Sequence, residues 1–184
     1  MRIGKPFLII AGLSLLTGCE AQHVTFNDFH HGMGQEKVSR LIGQANPDSG
    51  EHFLLMGALL QVDRTVKDLT QTRHYYRLAA ERGNVKAQYF LGKMLLAGKG
   101  GPRDYDEAFR WFGQAAEQGN REAQIQVGMI YYRILDTPPD YVNAYKWLTL
   151  GGAREMVDRL ETEMTSQQIL QAQQLARSWK SKTF

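Results

Sequence analysis

Apolar residues recur at helical spacing along most of this chain. Over residues 84–97 they fall at Ala87, Leu91, Met94 and Leu95, on one face of an α-helix. Over 105–118 they fall at Ala108, Trp111, Phe112, Ala115 and Ala116, which predicts a second helix with Asp104 as its N-cap. Between the two lies Gly98-Lys99-Gly100-Gly101-Pro102, where glycine supplies positive φ and proline cannot continue a helix. Gly83 stands at the C′ position of a preceding helix. The same rhythm predicts a helix over 35–44, with Val38, Leu41 and Ile42 on one side, ended by Asn46-Pro47-Asp48-Ser49-Gly50. Residues 154–163 read as a helix with Met156, Val157 and Leu160 inward. Thr165-Ser166-Gln167-Gln168 is a capping-box pattern that opens a last helix with Ile169, Ala172, Leu175, Ala176 and Trp179 on one face.

These elements repeat. Residues 79–88 and 115–124 agree at seven of ten positions, at an offset of 36 residues. A fixed step within about 20–50 residues marks a stacked array, each unit burying its apolar face against the next. Tyr75, Trp111 and Trp147 keep that step, as do Gly92 and Gly128, and Gly57 precedes Gly92 by 35 residues. Glycine inside a helix costs about 1 kcal/mol against alanine, so its return at one place in each unit implies a shared reason. Close helix crossing is the simplest, with an aromatic of the Tyr75, Trp111 and Trp147 series filling the space left by each glycine.

The residues Gly83-Asn84, Ala87-Gln88-Tyr89, Leu91-Gly92, Gly98-x-Gly100, Asp104, Ala108, Trp111-Phe112, Ala115-Ala116 and Gly119-Asn120 resemble the Sel-one-like repeat (SLR), a branch of the tetratricopeptide-like superfamily. The match extends upstream over 53–83, where the connecting loop 61–67 lacks its glycines. A third unit runs over 120–152, with Asp136-Thr137-Pro138-Pro139 in place of the glycine loop. The resemblance implies an all-α fold: a right-handed α-solenoid of about three helix-turn-helix SLR units with a C-terminal helical cap. Repeats occupy 49–152 and capping helices 153–184.

Composition changes the picture mainly at the N-terminus. The net charge is +3, and Arg2 and Lys5 lie in the first 19 residues, which hold no acid. Those residues read as a signal peptide: two cations, then ten residues over 7–16 that are apolar except for Gly12 and Ser14. As a helix that run is about 15 Å long, half of a hydrocarbon core. Its removal lowers the charge excess by two, to one, so basicity is no nucleic-acid footprint. Leu16-Thr17-Gly18-Cys19 resembles a bacterial lipobox, and Cys19 is the one cysteine. The resemblance implies acylation at Cys19 and anchoring by several acyl chains. The alternative is a plain signal peptide with a buried free cysteine. Glu20 follows rather than the aspartate of inner-membrane retention, which by analogy implies the outer membrane, facing the periplasm. Residues 20–48 are then a tether and the short helix.

No catalytic motif stands out. His-Glu-x-x-His, Gly-x-Ser-x-Gly and a phosphate loop are all missing from the sequence. Gly98-Lys99-Gly100-Gly101 is better read as a repeat turn, Asp104/Asp106/Glu107 as first-turn acids favoured by the helix dipole, and His30-His31 as a solvated loop. His52 and His74 are lone histidines. No cofactor and no metal are expected, and the aromatic series reads as core. The remaining chemistry is surface recognition by the first helix of each unit, which the resemblance places on the concave side. Lys86, Tyr89, Phe90 and Lys93, with Met129, Tyr132 and Arg133 from the next unit, form an apolar-aromatic strip flanked by cations that suits a protein or peptide partner. Alternatively the helix over 35–44 covers Phe90, Ile125 and Met129. The reading is therefore a lipid-anchored periplasmic adaptor, not an enzyme. Family resemblance also leaves open an immunity protein that neutralises a secreted toxic effector, and a small β-lactam-interacting enzyme. Lys180-Ser181-Lys182 supplies the one serine–lysine order near a helix end.

Overall fold

The computed structural model describes residues 35–62, 68–134 and 139–182. Among them there are helices and turns and no strand. The helices are α1 (Gln35–Gln44), α2 (Gly50–Val62), α3 (Leu69–Glu81), α4 (Val85–Ala97), α5 (Tyr105–Glu117), α6 (Arg121–Met129), α7 (Tyr141–Gly151), α8 (Arg154–Glu161) and α9 (Ser166–Ser178). The pairs α2/α3, α4/α5 and α6/α7 pack as hairpins. Each hairpin packs on the next through α3/α4 and α5/α6, and α9 closes the stack on α7. This is the helical solenoid expected from the repeats, with α1 packed on α2. Cys19, the lipobox, the tether and His30-His31 lie outside the described residues.

The punctuation is as regular as the helices. Asp68, Asp104 and Asp140 open the second helix of each unit, again 36 residues apart. Each side chain accepts from backbone N–H groups of the first turn: Thr70 and Gln71 on Asp68, Glu107 on Asp104, Asn143 on Asp140. These bonds satisfy donors that a helix start otherwise leaves open. Asn84 and Asn120 open α4 and α6 in the same way, accepting from Ala87 N at 3.0 Å and Ala123 N at 2.7 Å. Gly83 and Gly119 turn the chain between units with φ of 79° and 88°, the left-handed region that glycine enters without a Cβ penalty. Buried Gln88 and Gln124 hold these corners, their amide nitrogens donating to Ala80 O and Ala116 O.

The glycine–aromatic pairing differs from expectation by one residue. A Cβ on Gly57 would stand 2.6 Å from the ring of Tyr76, one on Gly92 2.7 Å from Phe112, and one on Gly128 2.7 Å from Leu148. Tyr76, Phe112 and Leu148 keep the 36-residue step and are fully buried. Tyr75, Trp111 and Trp147 are their chain predecessors, turned about 100° around the helix toward the outer side of the seam between units.

α4 is buried nearly all round, because it lies between α3 and α5. The third unit departs where Ile134 stands in the place of Gly98. Nothing forces a left-handed stop there, and α6 runs on into a π-helical turn at Ile130–Ile134. In the cap, the expected capping box forms at Thr165 and Gln168. Leu160 and Ala172 are buried, but Met156 and Leu175 are exposed. They sit at the margins of the last apolar layer, with no further unit to cover them.

Candidate interaction surfaces

The strip expected on the first helices is only partly at the surface. Tyr89 and Phe90 are 6% and 8% exposed. The Phe90 ring stacks on Tyr76 with centroids 5.3 Å apart, and Tyr89 lies 6.0 Å from Phe112. Both are core residues, since the side of α4 away from Ala87 and Leu91 also meets its neighbours. Burial raises the Tyr89 hydroxyl above the ordinary tyrosine range. Lys93 is exposed, its Nζ 5.4 Å from the Tyr89 ring centroid, and Lys86 is half-buried. Met129 and Tyr132 are half-buried. Tyr132 and Tyr141 lie with ring centroids 6.2 Å apart, and both hydroxyls donate to the Glu163 carboxylate. The Arg133 side chain lies outside what the structure describes. Phe90 is covered by Tyr76 and Ile125 lies against Gly151, so their cover comes from the repeats themselves.

A second surface runs along the other helix of each unit and was not anticipated. A cleft of about 680 Å³ opens between the C-terminal ends of α3 and α5, lined by residues that include Glu81, Gly83, Gln88, Trp111, Gln114 and Gln118. Its wall is tied across the seam. Arg77 of α3 holds Glu107 of α5 through two side-chain hydrogen bonds, and Trp111 Nε1 donates to the same carboxylate at 3.2 Å. The Arg77 bond is the main reason that Glu107 ionises below the ordinary carboxylate range. A smaller cleft of about 380 Å³ follows between α5 and α7, lined in part by Phe109, Tyr131 and Trp147.

One seam further on, the chain itself occupies the corresponding place. After α9 the backbone turns extended at Trp179, with φ −71° and ψ 139°. The Trp179 ring meets Trp147 edge to face with centroids 6.2 Å apart. Lys182 N donates to Glu117 O at 2.8 Å, and Lys182 Nζ lies 2.9 Å from the Glu117 carboxylate. Lys146 Nζ sits 4.4 Å from the Trp147 ring centroid. Burial lowers the Lys146 ammonium below the ordinary lysine range, against the pull of Glu117. The 36-residue spacing that relates Glu81 to Glu117, Gly83 to Gly119 and Trp111 to Trp147 could have located this surface in the sequence.

The residues considered for catalysis have structural occupations. Asp104 caps α5, Glu107 is held by Arg77, and Lys182 of the serine–lysine pair lies on Glu117. Among the described residues no group of three histidine, cysteine, aspartate or glutamate side chains is placed to hold a metal ion. No helix among them is long and apolar enough to cross a membrane.

The paired helices, capped at a 36-residue step and seated on interior glycines, define an α-solenoid of the tetratricopeptide-like class. The Sel1 repeat pattern matches residues 49–84, 85–120 and 121–154, and the chain belongs to that family. No curated protein is significantly similar to the chain. Among solved structures it is similar to a protective antigen of uropathogenic Escherichia coli strains displaying an SLR fold. The identity is 29% and the TM-score 0.65, over 79% of this chain and 32% of that one. It is also similar to a Sel1 repeat protein from Oxalobacter formigenes, at 24% identity and a TM-score of 0.58, over 69% of this chain and 53% of that one. The chain thus spans about a third to a half of the length of these relatives. Sel1 repeats are in general protein-interaction modules.

Proposed function

We propose that the protein is an adaptor moored through Cys19 to the periplasmic side of a bacterial envelope membrane, and that the first-helix face of its repeats recognises another protein. The supporting observation is a contrast between equivalent positions. The repeats agree where the stack needs them, at Asn84/Asn120, Ala87/Ala123, Gln88/Gln124 and Gly92/Gly128. They differ where the side chain reaches the surface. Exposed Lys93 corresponds to half-buried Met129, and Lys86 to Glu122. Tyr89 and Phe90 belong to the frame that holds this face rather than to the face itself. Tyr132 is tied to Glu163, so it borders the surface from the capping side.

Two substitutions test the two halves. Cys19→Ser moves the protein from the membrane fraction to the soluble fraction if the anchor reading holds. Lys93→Glu with Met129→Glu removes the partners that co-purify with the native protein while the melting temperature stays within a few degrees. An unchanged set of partners sinks the face, and retention of Cys19→Ser in the membrane sinks the anchor.

A further inference from the structure

The two seams of the solenoid carry the same site in two states. At the seam between the second and third units, the chain's own segment Trp179-Lys180-Ser181-Lys182 lies across Trp147, Gly119 and Glu117. Trp179 covers Trp147, Ser181 Cβ stands 3.7 Å from where a Gly119 Cβ would be, and Lys182 takes both the Glu117 carbonyl and its carboxylate. At the seam between the first and second units the equivalents are Trp111, Gly83 and Glu81, each 36 residues earlier. Nothing lies within 4 Å of a Cβ built on Gly83. Trp111 is half-buried, whereas its counterpart Trp147 is 7% exposed. Glu81 is exposed. The cleft of about 680 Å³ is what the missing segment leaves open.

We infer that this cleft binds an extended peptide of the form aromatic–x–small–basic, presented by a partner protein. The aromatic lies on Trp111 as Trp179 lies on Trp147. The small residue passes over Gly83. The basic residue meets the Glu81 carboxylate, and its backbone N–H takes the Glu81 carbonyl at the end of α3, a position where a helix leaves acceptors open. The nearby cations do not compete for this acid. Arg77 is committed to Glu107 by two hydrogen bonds, and Arg82 donates to Asp48 O and Leu78 O with its guanidinium 4.4 Å from the Phe53 centroid. A second copy of the chain is not the occupant, because its only segment of this form is already bound in cis at its own second seam. The site is separate from the first-helix face, so it stands or falls independently of that reading.

The test uses the full-length protein in detergent with its three tryptophans replaced by fluorotryptophan, and a blocked peptide Ser-Trp-Lys-Ser-Lys copied from residues 178–182. Binding should shift the Trp111 resonance saturably and leave those of Trp147 and Trp179 in place. Glu81→Gln in the protein, or alanine for the final lysine in the peptide, should weaken binding about threefold, as expected for an exposed charge pair. An unmoved Trp111 resonance at millimolar peptide overturns the proposal. So does movement of Trp147 and Trp179 instead, which would mean that the peptide only displaces the cis segment. A Trp111 shift on concentrating the protein alone, abolished by truncation after Ser178, would make a second copy the occupant and overturn it equally.

Discussion

The ring of Phe112 occupies the space that a side chain on Gly92 would need, with Cε1 2.7 Å from the position of a Cβ. Gly92→Ala therefore sets two effects against each other. Alanine improves helix propensity by about 1 kcal/mol, while overpacking a well-filled site costs about 1–3 kcal/mol. Because Phe112 is fully buried and cannot swing away, the net effect should be destabilising, by about 1–2 kcal/mol. Gly57→Ala against Tyr76 should behave alike. Urea unfolding checks it, and a raised midpoint would show that the rings give way more easily than the contact distances imply.

Arg77 and Glu107 pin the first unit to the second. The pair is partly screened, since Arg77 retains 34% of its side-chain exposure, so Glu107→Gln should cost about 1 kcal/mol at neutral pH. Glu107 binds its proton less readily in the folded chain than in the unfolded one. Its contribution is therefore complete above about pH 4, where an unfolded-chain glutamate titrates, and is lost as pH falls through the lower folded value. The stability gap between wild type and Glu107→Gln should be equal at pH 7 and pH 6 and close in stronger acid. A gap that persists there would assign the loss to packing.

The three aspartate caps should be interchangeable in strength. Asp68→Ala, Asp104→Ala and Asp140→Ala should each cost about 1 kcal/mol, and pairs of them should add, because the sites share no partner. Asp68 is the informative one, since it follows a loop without the family's glycines. A negligible cost there would mean that the first unit folds without a fixed start to α3.

The terminal segment offers a graded series. Trp179→Ala should cost about 1–2 kcal/mol through lost ring contact and burial. Lys182→Ala should cost less than about 1 kcal/mol, being half-exposed and screened. Trp179→Ala should also red-shift the remaining tryptophan emission as Trp147 meets water. The reverse order of costs would make the ion pair the main fastening.

The repeat step, the paired helices, the Asp104 cap and the Thr165–Gln168 box could all be read in the sequence, because each rests on local spacing. The partner of each interior glycine was displaced by one residue, since Trp111 and Phe112 are both large, adjacent and periodic, and helical spacing cannot say which of two neighbours turns inward. Tyr89 and Phe90 were assigned to the surface by treating α4 as a helix with one buried side. Its place between α3 and α5 is a property of the stack. The cleft at Trp111 and Glu81 was legible in principle through the same step. It was not recognised because its meaning depends on where residues 179–182 fold back, which is tertiary.

That fold-back makes the two ends of the array unequal. The seam beneath the capping helix is stitched by residues 179–182, while the seam above it lacks such a thread. Opening fluctuations should therefore start at α2 and α3, and amide hydrogens there should exchange sooner than those of α6 and α7. A ligand lodged beside Trp111 would protect the opposite end of the molecule from the one that the chain already secures for itself.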